Sequence, residues 1–256
     1  MTYHIYYFSA TGNTWHAIAR VEAALARAGH TVETSSINSH TKPFPEAPDR
    51  LVVAFPTHAW APPSLVMRYM RKMPRGCTRA AVLACAGGGC GGAADIAARA
   101  LRRRGYEVFL TGAANYSENW LQMVPGPPPE VVADRTREGD VATDEFAERL
   151  VADEGGRVTV SIAMQVISHT VGVLFRLAGR QLLGKVFVAD SDCTSCGLCA
   201  EHCPAGAIRL AGPGEPRPYW TLSCISCNRC VNICPTRAIN SSTARILVLV
   251  LLAGLV

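Results

Sequence analysis

Lysine is almost missing from this chain of 256 residues: Lys42, Lys72 and Lys185 are the only ones, and arginine supplies the rest of 25 basic residues against 20 acidic. The densest basic run, Arg102–Arg103–Arg104, lacks the interleaved aromatics of a nucleic-acid-binding stripe, which argues against a nucleic-acid partner. Met1-Thr2-Tyr3-His4 leads straight into a strand-like run, without the basic and apolar regions of a secretory leader. A secreted disulfide framework is therefore not expected, and the thiols should be reduced in a cytoplasmic setting. Two common nucleotide loops, G-x-x-x-x-G-K-[ST] and G-x-G-x-x-G, are absent as well. Apolar residues are plentiful, at 49%, which rules out a disordered chain. The length suits one medium domain and one small one.

Residues 1–155 alternate in character. Strand-like runs at His4–Phe8, Thr31–Ile37, Leu51–Phe55, Ala80–Cys85 and Val108–Thr111 are separated by amphipathic stretches at Asn13–Ala28, Pro63–Met73, Ala93–Arg104 and Thr143–Ala152. Gly29 and Gly105 are placed to stop two of the helices. Alternation of this length predicts a parallel sheet covered on both faces. A Pro-rich loop, Pro125–Pro129, precedes the last helix.

The first strand runs into Ser9-Ala10-Thr11-Gly12-Asn13-Thr14, where a helix should begin. A strand-to-helix loop is a ready anion site, because backbone N–H groups and the helix dipole point at it. Ser9, Thr11 and Thr14 add hydroxyl donors, Gly12 allows close approach, and no cation occurs before Arg20. Such a neutral donor set suits a phosphate monoester better than a triphosphate with magnesium. Preceded by Ile5-Tyr6-Tyr7-Phe8, this loop resembles the FMN-phosphate loop of flavodoxins. The resemblance implies a doubly wound α/β sheet of five parallel strands in the order 2-1-3-4-5, with flavin beyond the strands' carboxyl ends. Two further loops would hold the flavin ring, Pro56-Thr57-His58-Ala59-Trp60 and Cys85-Ala86-Gly87-Gly88-Gly89 with its continuation to Gly92. Trp60 is the natural stacking partner. The second loop departs from the flavodoxin pattern, having neither an acidic residue nor an aromatic. Its glycines permit backbone contact, and the other ring face should stay open or be covered by Tyr116 or Trp120.

Of 11 cysteines, eight fall between Cys193 and Cys234, while Cys77, Cys85 and Cys90 are scattered. Cys193-x2-Cys196-x2-Cys199-x3-Cys203-Pro204 recurs as Cys224-x2-Cys227-x2-Cys230-x3-Cys234-Pro235, offset by 31 residues throughout, and Ser195/Ser226, Ala207/Ala238 and Ile208/Ile239 repeat too. Structural zinc prefers separated Cys-x2-4-Cys knuckles, which these triplets fit poorly. The pattern is similar to that of two-cluster bacterial ferredoxins, an α+β fold in which the fourth cysteine of each run serves the other cluster. The resemblance implies two 4Fe–4S clusters, one on Cys193, Cys196, Cys199 and Cys234, the other on Cys224, Cys227, Cys230 and Cys203. Two oxidised cubanes and an FMN phosphate, each about −2, would turn the apo charge of +5 into about −1.

Taken together, the chain resembles a flavodoxin–ferredoxin fusion. Residues 1–155 would form the FMN domain, 156–189 an apolar connector, 190–240 the ferredoxin domain and 241–256 an apolar tail. Val158–Phe175 has the length of a membrane span, but Gln165 and His169 interrupt it, so a helix buried between domains or at a homodimer contact is expected. The tail Ile246–Val256 is too short to span and suits peripheral membrane contact or docking in an apolar groove, with Arg245 at headgroup level. The resemblance implies electron transfer with a redox partner protein or a small-molecule donor or acceptor. The alternative is an FMN-dependent reductase fed by its own clusters. No acid–base pair or activated nucleophile names a reaction.

Overall fold

A computed structural model describes the chain except for residues 43–47, 77, 123 and 255–256, and leaves the side chains of 249–254 aside. Cys77 and the last two residues of the apolar tail thus lie outside the described residues. The chain divides into two units that interleave along the sequence. Unit 1 comprises Met1–Glu118 and Pro127–Val173, and unit 2 comprises Asn119–Gly126 and Leu174–Val256. Set beside the expected boundaries, the connector is shared between the units, and a short piece of the first half belongs to the second.

Unit 1 runs β1 (Thr2–Tyr7), α1 (Asn13–Arg27), β2 (Thr31–Ser36), β3 (Arg50–Pro56), α2 (Ser64–Lys72), β4 (Arg79–Ala86), α3 (Ala93–Arg102), β5 (Glu107–Asn115) and α4 (Pro129–Val151). The five strands are parallel in the order β2-β1-β3-β4-β5, the doubly wound arrangement expected. β3 and β4 are buried almost throughout because helices cover both faces, whereas β2 is an edge strand with polar residues outward. Tyr3, Ile5, Ile18, Val21, Leu25, Leu83, Phe146 and Leu150 form the core between sheet and helices. Gly29, at φ 78, supplies the left-handed residue that ends α1.

Helix α4 starts fourteen residues before the expected Thr143, with Pro129 in its first turn. Its added turns are mostly exposed and carry the i,i+3 ion pairs Arg135–Glu138 and Arg137–Asp134, so no apolar face advertised them. Gly139 among them is buried, and a Cβ there would fall 2.6 Å from the Tyr116 ring.

The connector forms α5 (Ile162–Leu174), one π-turn at Phe175–Gly179 and α6 (Arg180–Val186). In the single chain Ile162, Val166, Leu174 and Leu177 are 80%, 59%, 61% and 69% exposed, so nothing in the chain itself covers the large apolar residues of the connector. What α5 buries is its small side, Ser168 and Gly172. The Ser168 hydroxyl accepts from Gly92 N–H at 2.9 Å, so α5 packs through small residues and leaves its large apolar ones outside.

Unit 2 continues with β6 (Phe187–Ala189), α7 (Leu198–Glu201), β7 (Ile208–Ala211), β8 (Arg217–Trp220), α8 (Arg229–Ile233), β9 (Ile239–Ser241) and α9 (Thr243–Gly254). The 31-residue repeat reappears in three dimensions. α7 and α8 start one repeat apart, and so do β7 and β9. Each two-stranded antiparallel ladder is mixed: β6 pairs with β9, and β7 with β8. The strand that opens one repeat thus lies beside the strand that closes the other.

One packing constraint in unit 1 gives a direct test. A Cβ on Gly112 of β5 would sit 2.5 Å from the Phe146 ring and 3.2 Å from Leu83. Gly112→Ala should therefore cost about 1–3 kcal/mol by overpacking. A lower urea midpoint by circular dichroism is expected, and an unchanged midpoint would contradict the packing.

Candidate cofactor sites

Three loops meet at the carboxyl ends of the unit 1 strands. The first, Ser9–Thr14, turns through Gly12 at φ 116 into α1. The first-turn N–H groups of a helix have no intrahelical acceptors. Here Ser9 Oγ accepts from Trp15 N–H at 3.1 Å, and Asn13 Nδ2 donates to the Ser117 carbonyl at 2.9 Å, which ties this loop to the end of β5. Arg20, the nearest cation on α1, is committed to Asp140 at 3.3 Å and to both carboxylate oxygens of Asp144, at 2.5 and 2.9 Å. Any anion in the loop must therefore be held by neutral donors.

The second loop carries a tight turn. His58 N–H donates to Ala61 O at 2.9 Å and Ala61 N–H donates back at 3.1 Å, with Ala59 and Trp60 between them at φ 50 and 55. Two consecutive left-handed residues are the geometry of a type I′ turn, normally reserved for Asn and Gly. Holding alanine and tryptophan there costs conformational energy, and such strain collects at ligand-binding positions. The turn presents Trp60, 41% exposed, at the loop's tip. His58 packs edge-on against Phe8 at 6.4 Å between ring centres, and burial pulls its pKa down to about 4.

The third loop, Cys85–Gly92, is pressed between neighbours. A Cβ on Gly87 would strike Glu118 at 2.8 Å, and one on Gly91 would strike Ser168 Oγ and Trp60 Cβ at 2.8 Å. Glu118 is thus an acidic residue against this loop that sequence reasoning missed, since it lies thirty residues on with no motif around it. Burial pushes the thiols of Cys85 and Cys90 up to about 12 and 11, and Cys90 donates to Ala84 O. Both therefore stay protonated and pack as small apolar groups.

One expectation needs correction. Tyr116 cannot cover a flavin face, because it is 1% exposed and its hydroxyl is bound to Thr143 at 2.8 Å and Asp140 at 3.3 Å. Its ring instead fills the space over Gly139. Meanwhile Thr14 Oγ1, Thr57 Oγ1 and Ser117 Oγ are buried around these loops without an oxygen or nitrogen partner among the described residues. Thr14 and Thr57 have the Cys85 and Cys90 thiols as polar neighbours. Unpaired buried hydroxyls at the mouth of a sheet fit a bound polar ligand or water.

In unit 2, the backbone repeats with the sequence. Ser195, Gly197 and Gly206 have φ 56, 79 and 57, and their partners one repeat later, Ser226, Asn228 and Arg237, have φ 52, 60 and 55. The left-handed turns curl each cysteine triplet so that N–H groups point at sulfur. Ser226 N–H approaches Cys224 Sγ at 3.3 Å, and Ala207 N–H approaches Cys203 Sγ at 3.2 Å. Cys193, Cys196, Cys199 and Cys234 line one cavity together with Leu210 and Ile239. Cys203 lies close enough to Cys224, Cys227 and Cys230 to oppose charge on each of them. The mixed ladders are what carry each fourth cysteine across. Among the described residues no three His, Cys, Asp or Glu side chains gather tightly enough for a single metal ion. Cys193, Cys196, Cys199 and Cys234 ring a space instead, which a cubane would fit.

The two cysteine sets differ in setting. Cys196 is exposed, whereas Cys224 and Cys230 are buried and burial pushes their thiols up to about 11 and 12. Trp220 Nε1 is buried beside Cys230 without an oxygen or nitrogen partner among the described residues. Arg180 donates to the carbonyls of Leu222 and Cys224 at 3.1 and 2.8 Å, and Lys185 donates to Trp220 O at 2.7 Å, so two cations brace the second set.

A residue from the first half of the chain joins this set. Gln122, 6% exposed, donates its N–H to Asn228 Oδ1 at 3.1 Å and accepts from Ser226 Oγ at 2.9 Å. No sequence signal marks it, since it sits in an irregular stretch remote from the cysteines.

Residues 192–239 match the 4Fe-4S dicluster domain family. No curated protein matches the chain. Similar solved structures include a flavodoxin from Archaea, 17% identical over 57% of this chain and 99% of that one, TM-score 0.40. Others are two-electron-reduced Megasphaera elsdenii flavodoxin, at 19%, 56%, 98% and 0.38, and a cysteine-substituted Pseudomonas aeruginosa flavodoxin, at 14%, 59%, 97% and 0.43. The chain carries a segment that matches the 4Fe-4S dicluster domain family beside an α/β unit with the flavodoxin-like strand order. That organisation fits a flavodoxin–ferredoxin fusion.

The buried imidazole sets a pH dependence. Below the ordinary value of 6.5 the unfolded chain takes up a proton on His58 that the folded chain resists until about pH 4, so stability falls as pH drops through that window. Each pKa unit is worth about 1.4 kcal/mol, and partial solvent contact at this residue should hold the loss to about 1–2 kcal/mol. His58→Gln should remove that part of the slope in urea titrations between pH 6.5 and 4.5. Parallel profiles for the two proteins would contradict it.

Proposed function

We propose that the chain is an electron carrier that relays electrons between an FMN in unit 1 and two 4Fe–4S clusters in unit 2. The observation that carries the reading is the cavity lined by Cys193, Cys196 and Cys199 together with Cys234 of the other repeat. By the same repeat, Cys224, Cys227, Cys230 and Cys203 would hold the second cluster. When bound, FMN exchanges two-electron for one-electron transfer and each cluster carries one electron at a time. Ser9–Thr14 would hold the flavin phosphate by neutral donors, and Trp60 would cover one face of the ring. Ala86–Gly92 would approach its edge through backbone. With Tyr116 held in the core, this loop set leaves the second face to a redox partner or a small electron donor or acceptor.

Chain length supports a relay within one molecule. Ser117, whose carbonyl is bound to the phosphate loop, is five residues from Gln122 beside the second cysteine set. Five residues reach at most about 18 Å, however the units are disposed. Cys203→Ala should therefore abolish the second cluster although it stands in the first run, as read by iron analysis and EPR. Loss of only the first cluster would refute the ligand set. In stopped-flow reduction, exchange between flavin and cluster absorbance should not vary with protein concentration. Proportional scaling would mean transfer between molecules, and reduction of an added small substrate ahead of the clusters would favour the reductase reading.

We further propose cytoplasmic placement with a peripheral contact on anionic membrane. Ile162–Val186 is long and apolar enough to cross a bilayer. Crossing would part Gln122, bound to Leu183, Ser226 and Asn228, from Ser117 in unit 1. The chain between them, about 18 Å at most, is shorter than a hydrocarbon core of about 30 Å. The helix therefore lies along the surface. In unit 2, Leu174, Leu177 and Leu182 are exposed, as are Leu247 and Val248 of the neighbouring α9. No acidic residue occurs in 155–189 or after Glu215, which suits anionic headgroups. Full-length protein should sediment with phosphatidylglycerol vesicles, and a chain ending at Arg245 should bind them less. Equal binding would refute the contact, and dissociation of a dimer on truncation would assign the face to a second copy.

A further inference from the structure

Gln122 is a buried side chain that the proposed relay does not use and that the fold holds firmly. All four of its polar groups are paired inside unit 2. Its N–H donates to Asn228 Oδ1 at 3.1 Å and its carbonyl accepts from Ser241 Oγ at 2.8 Å. Its Oε1 accepts from Ser226 Oγ at 2.9 Å, and its Nε2 donates to Leu183 O at 2.6 Å. Two of these partners, Ser226 and Asn228, are the left-handed residues between the ligands of the second triplet, at φ 52 and 60.

The first triplet has no such support. Its equivalent residues are Ser195, whose buried Oγ has no partner among the described residues, and Gly197, which needs none to be left-handed. In the second repeat an asparagine stands where the first has glycine. That residue is held by a bond from Gln122 and by its own donation to Ser226 O at 3.3 Å. The same turn aims Ser226 N–H at Cys224 Sγ.

We propose that Gln122 is a positioning residue for the second cluster, holding the Ser226–Asn228 turn so that backbone N–H groups stay directed at the cluster's sulfurs. The proposal rests on the ligand set given above. Donors to sulfur favour the more negative, reduced cluster and so raise its reduction potential. A loop released from Gln122 should lower the potential of the second cluster alone.

The test uses the full chain with its clusters. Gln122→Leu keeps the side-chain volume and the backbone bonds while removing the bonds to Ser226 and Leu183. In EPR-monitored redox titration one of the two potentials should fall and the other should stay. Hydrogen exchange should quicken in the peptide around Ser226 and not in the one around Ser195. Ser226→Ala, which removes the partner, should shift the same potential in the same direction. The double variant should shift it by less than the sum, because both substitutions break one bond. If Gln122→Leu fails to fold, Ser226→Ala alone carries the test. Two unchanged potentials, or two that move together, would overturn the proposal. A failure of the underlying reading looks different, because the unsubstituted protein would then lack two cluster signals.

Discussion

Two short ladders hold unit 2 together, and both are made by exchange between its halves. β6 opens the first repeat and pairs with β9, which closes the second, while β7 and β8 complete the converse arrangement. Neither half can form its sheet alone, so the ladders bring Cys234 to the first triplet and Cys203 toward the second. The left-handed turns at Ser195, Gly197, Ser226 and Asn228 then aim N–H groups inward. Eight thiols in so small a unit leave a small apolar core of Val186, Phe187, Ile208, Trp220, Ile225 and Ile239 with a few alanines. Bound clusters would contribute much of the folding free energy in such a unit.

Unit 1 follows the opposite logic. Its sheet is a large apolar core that needs no cofactor, and its site is confined to loops where local preference is overruled. Ala59 and Trp60 occupy left-handed positions, Gly12 stands at φ 116, and the Ser117 hydroxyl is buried without a hydrogen-bond partner among the described residues. A rigid sheet can sustain these departures because its strands are fixed on both sides.

Much of this was legible in the residues themselves. The alternation of apolar runs foretold the parallel sheet, and the cysteine spacing, with Ser195 matching Ser226, foretold a repeat that the φ values reproduce. What was not legible has definite physical causes. The first half of α4 has no apolar face, so periodicity was silent about it. Tyr116 looked like a free aromatic because nothing local shows that Thr143 and Asp140 take its hydroxyl or that Gly139 leaves room for its ring. Gln122 was invisible because its partners come from three separate segments. For α5 nothing in the composition showed which side would pack: small residues face inward and large ones outward.

The interleaving of the units bears on how the protein is made. Asn119–Gly126 leaves the ribosome well before the rest of unit 2, whereas β5 and α4 on either side of it can close the first core. That segment has its first partner only when Leu183 has been synthesised and its last only with Ser241. Unit 2 therefore has all of its parts only near the end of the chain. A free-standing fragment from Leu174 onward would lack the segment that pins Ser226 and Asn228. The chain is better regarded as one biosynthetic unit than as two modules in tandem.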